Sequence, residues 1–230
     1  MRRREFLSGL ALLGGAQLLP AMYGPAEPTP PPVPTPGPSC RPDLVVGMEI
    51  CEAKACTFLA SVAPRAQEES NWCWAACLEM SFSCLGNRVT QQTIVKAAWG
   101  DIRNVPASPA DIVKTVNREY VNNLGGRFRP RAKLLDRTFT LFTDIGALGE
   151  TFDHVAAGKP AIVGTVEPGG TGHATMLTHL SVRRVAGGAV VPVFYSARVY
   201  DPWPGRQSSV LTQEDWSRSP YIVLIDLPNA

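Results

Sequence analysis

The sequence predicts an α+β fold, with helices in its first half and an antiparallel sheet in its second. Two observations carry this. Helix starts and stops crowd between residues 73 and 157, whereas the runs PAIVGTV, HATMLTHLSVRR, VVPVFYSARVY and YIVLIDL follow with short connections. Strands that close together pair as antiparallel neighbours, because a parallel pair needs a long crossover.

Taken in order, the chain begins with Arg2-Arg3-Arg4-Glu5-Phe6-Leu7 and the apolar run SGLALLGGAQLLPAM. Arginines before a modest, glycine-diluted apolar run resemble a twin-arginine export signal, read here as residues 1–26. The run is shorter than the ~20 residues that span a bilayer. Cys40 stands too far from it for a lipoprotein signal. Residues 27–42 are rich in proline, which favours an extended polyproline II spacer that buries no core. One domain is expected over 43–230, long enough for a real core.

Within it, CWAACLEMSFSC is rich in helix formers. Thr90 caps the next helix, which stops at Gly100, and Ser108-Pro109 with Asp111 opens a third. A fourth helix is expected from Leu148 to Ala157 and a short one after Thr212. The four β-rich runs fill the rest.

The chain carries 22 basic and 20 acidic residues, a formal +2. Removing residues 1–26, with three Arg and one Glu, leaves no net charge. No basic stripe suits nucleic acid and no polybasic segment suits a membrane surface. The cluster RFRPRAK at 127–133 reads as a solvated strand edge.

The densest chemical signal is Asn71-Trp72-Cys73-Trp74-Ala75-Ala76, with Gln67 six residues before the cysteine. A cysteine at a helix N-terminus has its thiolate favoured by the helix dipole. A glutamine amide supplies N–H groups to the oxygen that turns negative when a thiolate attacks a carbonyl. The base is sought among three histidines. His154 lies at a helix end, and His179 lies deep in an apolar run as a hydrogen-bonded core residue. His173, entered from the loop EPGGTG, begins a strand and faces a cleft. Asp201, where a strand is stopped by Pro202, is placed to orient that imidazole. Asp-Pro alone marks a turn. The chain order Gln67, Cys73, His173, Asp201 favours a site. Trp203 beside it either shields the His–Asp bond or simply packs.

These residues resemble a papain-like cysteine peptidase. That family has a glutamine six residues before its cysteine, Trp-Ala after the cysteine, and alanine after the histidine. Here these are Gln67, Trp74-Ala75 and Ala174. The resemblance implies Cys73 as nucleophile, His173 as acid and base, Gln67 as oxyanion donor and Asp201 as orienting residue. It further implies a helical lobe carrying Cys73, an antiparallel sheet lobe carrying His173 and Asp201, and a cleft between them. The orienting residue of the family is usually Asn. The 100 residues from Cys73 to His173 are fewer than the roughly 130–150 of the papain type. The likeness is thus to compact bacterial members, avirulence-effector peptidases included, over residues 60–228. It implies an exported, periplasmic or secreted thiol hydrolase acting on protein or peptide substrates, with no cofactor. The same triad also serves amide hydrolysis and acyl transfer, and a degenerate domain would only bind.

Of six cysteines, Cys73 takes the nucleophile's place. Cys77 reads as a small core residue, and Cys40, Cys51, Cys56 and Cys84 as disulfide candidates whose pairing stays open. With no CxxC pair and the histidines far apart, no metal site is expected.

Overall fold

Period-two alternation lets the strands of this protein bury side chains on both faces of one sheet. In β6 (Ala161–Val166), β7 (Gly172–Val185) and β10 (Tyr221–Asp226), the residues Ile162, Ala174, Met176, Val223 and Ile225 belong to one apolar cluster. Their neighbours Ala161, Val163, Leu177, Ile222 and Leu224 belong to another. The first cluster is completed by α1 (Cys73–Cys84), α2 (Gln91–Trp99) and α3 (Pro109–Val116), the second by α4 (Leu141–Ala156) and α5 (Gln213–Ser217).

The structure is a computed structural model that describes residues 37–56, 63–137, 141–166, 172–187, 192–206 and 208–228, without the side chains of 141–144. The expected export signal and all but the end of the proline-rich run lie outside the described residues.

Among the described residues, eight strands join in one antiparallel sheet. The long β7 lies at its centre, pairing on one edge with β6 and β2 (Met48–Lys54) and on the other with β8 (Val193–Tyr200). β1 (Ser39–Pro42) extends the sheet beyond β2, and β9 (Ser209–Leu211) beyond β8. β5 (Arg131–Asp136) ends it beyond β10, and a small hairpin joins β3 (Tyr120–Val121) to β4 (Arg127–Phe128). The basic side chains of the run 127–133 are exposed on and between β4 and β5, where Arg127 pairs with Glu119 at 2.8 Å, while Phe128 and Pro130 are buried.

The α+β class and the four β-rich runs are as expected. So are the side-chain caps of Thr90, Ser108 and Thr212, the last two closing capping boxes. The order differs at the front, where β1 and β2 precede the helices. Their apolar content is modest, and a disulfide between the directly opposed Cys40 and Cys51 joins them. Ser39–Pro42, the end of the run read as linker, is thus paired sheet. A second disulfide, Cys56–Cys84, fastens the chain after β2 to the end of α1.

α1 is apolar on almost every side because it is buried on almost every side, from Trp74 through Phe82. At Gly164 on β6 the Tyr221 ring passes so close that a Cβ would stand 2.2 Å from it, a place for glycine alone.

Candidate active site

Cys73 is the first residue of α1, half-buried and free of any disulfide. Trp72 precedes it as N-cap without a side-chain acceptor, so the positive end of the helix dipole opens at the thiol. The residues flanking it in the sequence motif hold a neighbouring loop. Trp72 Nε1 donates to Arg103 O at 2.9 Å and Trp74 Nε1 to Val105 O at 3.3 Å. The Asn71 N–H donates to Asn104 Oδ1 at 2.9 Å, and Asn104 Nδ2 to Ser70 Oγ at 2.9 Å. These bonds bring Pro106 to the wall of a cleft of about 510 Å³ that Asn71, Cys73, His173, Trp203 and Arg206 also line.

His173 is the second residue of β7 and buried at 8% exposure. Its Nε2 shares a 2.8 Å hydrogen bond with Oδ1 of Asp201, itself 7% exposed at the end of β8. Nδ1 is then the ring nitrogen left for the Cys73 side. Burial of the ring works against its charge, but hydrogen bonds to Asp201 and Cys73 and their negative charges outweigh it, raising the His173 pKa to about 9. Burial pushes the Asp201 carboxyl up, and the bonds from His173 and the Trp203 N–H bring it below its usual value. Arg206 stands 3.8 Å from the second Asp201 oxygen. The exposed Trp203 indole meets the His173 ring edge to face, centroids 6.4 Å apart.

Gln67 is brought to the same region and is differently engaged. It is buried, its main-chain N–H donates to Pro202 O at 2.8 Å, and its side-chain Nε2 donates to Glu69 O at 3.0 Å and Ser70 O at 2.9 Å. Both amide N–H groups are thus turned to its own loop, and the buried Oε1 has no partner among the described residues. Gln67 does not line the cleft among the described residues.

The other histidines stand elsewhere. His154 Nε2 lies 3.0 Å from the carbonyls of Pro160 and Ile225 near the end of α4, and burial lowers its pKa. His179 lies next to Thr178, its Nδ1 3.1 Å from the hydroxyl, and burial lowers its pKa also. A bulge in the β7–β8 pairing falls between Leu177 and His179, so the two histidines do not share one unbroken alternation. The four disulfide candidates are paired, and Cys77 is a buried free thiol. Cys40, Glu49 and Cys51 cluster at metal-like spacing, but the two sulfurs are joined to each other.

Sequence reading missed Asn104, Pro106 and Arg206, because nothing local marks a loop that is recruited from a distance. It also missed Gln91 and Glu79, a buried polar pair that borders Gln67.

The sequence profile of the Peptidase C39 like family matches residues 59–219. No curated protein matches the chain. One similar solved structure is the peptidase domain of Streptococcus ComA, a bi-functional ABC transporter, at 14% identity and TM-score 0.46 over 73% of this chain and 99% of that one. Another is a double glycine motif protease from an AMS/PCAT transporter, at 15% identity and TM-score 0.43 over 72% of this chain and 91% of that one.

Proposed function

The chain belongs to the Peptidase C39 like family of cysteine peptidases, and we propose that it is exported and cleaves peptide bonds through Cys73, His173 and Asp201. The observation that carries the triad is the buried 2.8 Å bond between Asp201 and His173, which lines the same cleft as the free Cys73 thiol at a helix N-terminus.

The Cys73 thiolate attacks the carbonyl carbon, and the carbon–oxygen π pair moves onto oxygen. The Cys73 N–H, at the positive end of α1, donates to that oxyanion. Gln67 is the second donor, and it serves by exchanging one of its two bonds to the loop carbonyls. As the intermediate collapses the carbon–nitrogen bond breaks, and His173 hands its proton to the leaving amine. The thioester is hydrolysed by water that His173 deprotonates, and the acid product leaves with the thiol restored. Asp201 holds the imidazole through Nε2 and stabilises its cation throughout.

Export rests on the arginine-led segment at residues 2–7 and on two disulfides, which persist in oxidising compartments. Among the described residues no helix is long and apolar enough to cross a membrane. The mature protein therefore works in the periplasm or outside the cell, on protein or peptide substrates.

An epoxide thiol probe tests the nucleophile: it labels the wild type and not Cys73→Ala, and equal labelling of both overturns the assignment. Mass spectrometry of a cleaved peptide, with an added amine present, yields the free acid. An amide product in its place would make the protein an acyltransferase.

A further inference from the structure

Glu79 is a carboxylate in the middle of the buried helix α1, its side chain only 4% exposed. Burying such a group is unfavourable unless it is paired and hydrogen-bonded. Arg88 and Arg65 approach it from the surface, Nε to Oε1 at 3.4 and 3.8 Å. Its second oxygen accepts from Gln91 Nε2 at 3.2 Å.

Gln91, the first residue of α2 and 1% exposed, uses every polar atom of its side chain. Nε2 donates to Ala66 O at 2.9 Å as well as to Glu79, and Oε1 accepts from the Glu68 N–H at 3.0 Å. One amide thus pairs with the main chain on both sides of Gln67, as an adjacent strand would. Gln67 in turn donates its N–H to Pro202 O at 2.8 Å, and Pro202 follows Asp201. A continuous path of hydrogen bonds therefore runs from the helix that carries Cys73 to the turn that carries Asp201. β8 delivers Asp201 to the site, and this path ties its turn to the helical side of the cleft.

We propose that Gln91 is a positioning residue for the triad: seated on Glu79, it holds residues 66–68 in the line that clamps Pro202, and so sets where Asp201 stands relative to Cys73. The proposal rests on the triad put forward above. Removing the Gln91 amide leaves the Glu79 carboxylate short of a partner and frees segment 66–68. The Asp201 turn then loses one of its restraints, and its bond to His173 weakens.

The groups facing His173 are Cys73 from α1 and Asp201 from the turn after β8, with Arg206 behind Asp201. Cys77 of α1 and Tyr221 of β10 lie close enough to Cys73 to feel its charge. Asp201 is the member of this set that Gln91 reaches.

The test is the rate of Cys73 alkylation by iodoacetamide against pH, which needs no known substrate. Wild type shows a reactive thiolate–imidazolium pair with an upper inflection near pH 9, set by His173. Gln91→Met, close to isosteric and without hydrogen bonds, moves that inflection down by ~0.5–1 pH unit, as expected for a weakened carboxylate bond. Ile94→Ala, at a fully buried apolar position of the same helix, lowers the melting temperature and leaves the inflection in place. If Gln91→Met folds poorly, Gln91→Glu with Glu79→Gln keeps the pair and the Glu68 contact, turns a carboxylate oxygen onto the Ala66 carbonyl and takes the charge from Arg65 and Arg88, and moves the inflection in the same direction. An unchanged inflection in both Gln91 variants, or an equal shift in Ile94→Ala, overturns the positioning role. A wild type with no upper inflection overturns the triad itself.

Discussion

The Cys77 thiol lies 3.3 Å from the carbonyl oxygen of Ala174 and donates to it across the seam between α1 and β7. The helical turn that follows Cys73 is thereby tied to the residue that follows His173. Cysteine is small enough for this seam and still brings a donor, which alanine does not.

Burial first, and then the charges of Cys73 and Asp201, hold the Cys77 thiol well above its ordinary pKa. Native protein at pH 8 should therefore take one equivalent of iodoacetamide, at Cys73, and unfolded but unreduced protein two. Peptide mapping decides the site. Cys77→Ala should lose about 1–2 kcal/mol in urea unfolding, from the missing bond and the small void. Stability equal to wild type would make the seam contact inconsequential.

His173 has a folded pKa of about 9 against an ordinary 6.5, so folding favours its protonated form. The stability this contributes is complete below pH 6.5 and is lost as pH rises through about 9. Asp201 behaves oppositely: its lowered pKa contributes stability above pH 3.8 that is lost as pH falls through the folded value. Peptidase activity should fall on the alkaline side near pH 9. In Asp201→Ala that limb should move toward the ordinary histidine value, with kcat reduced. A limb that stays in place would separate Asp201 from His173 function.

One substitution separates the loop contacts of Gln67 from the oxyanion role proposed for it. Gln67→Ala removes the loop bonds to Glu69 and Ser70 and should cost about 1–2 kcal/mol of stability. If the amide also turns to the oxyanion, kcat falls by roughly 10²-fold with KM little changed. Steady-state kinetics beside a thermal melt gives both numbers. A lower melting temperature with intact kcat would leave Gln67 a loop strut alone.

The two disulfides should differ in weight. By loop-closure entropy, Cys56–Cys84, spanning 28 residues, contributes about 3.6 kcal/mol, and Cys40–Cys51, spanning 11, about 2.8 kcal/mol. Paired serine substitutions measured by denaturant unfolding test the order. Mild reductant should keep Cys73 reactive, and strong reductant should lower the melting temperature.

Local signals were legible because their physics is local. Thr90, Ser108 and Thr212 each cap a helix with a side chain that reaches three residues on. Four β-rich runs became β6, β7, β8 and β10. β1 and β2 were not legible, since a short hairpin of modest apolar content owes much of its place to the opposing β7 and to the Cys40–Cys51 bridge. The motif around Cys73 spoke for compact bacterial papain-like enzymes, and the family came from the match over residues 59–219.

The sequence by itself determined where the groups of the proposed triad stand in their elements: a cysteine at a helix start, a histidine at a strand start and an aspartate at a strand end. Each follows from propensities within a few residues. Tertiary structure alone decided that Gln67 spends its amide on its own loop, that Asn71, Trp72 and Trp74 hold the loop at 103–105, and that Gln91 brackets Gln67 from another helix. A polar side chain has the same donors and acceptors wherever it stands. Its partner is fixed only when segments distant in the chain, such as Gln67 and Pro202, are brought within hydrogen-bond reach.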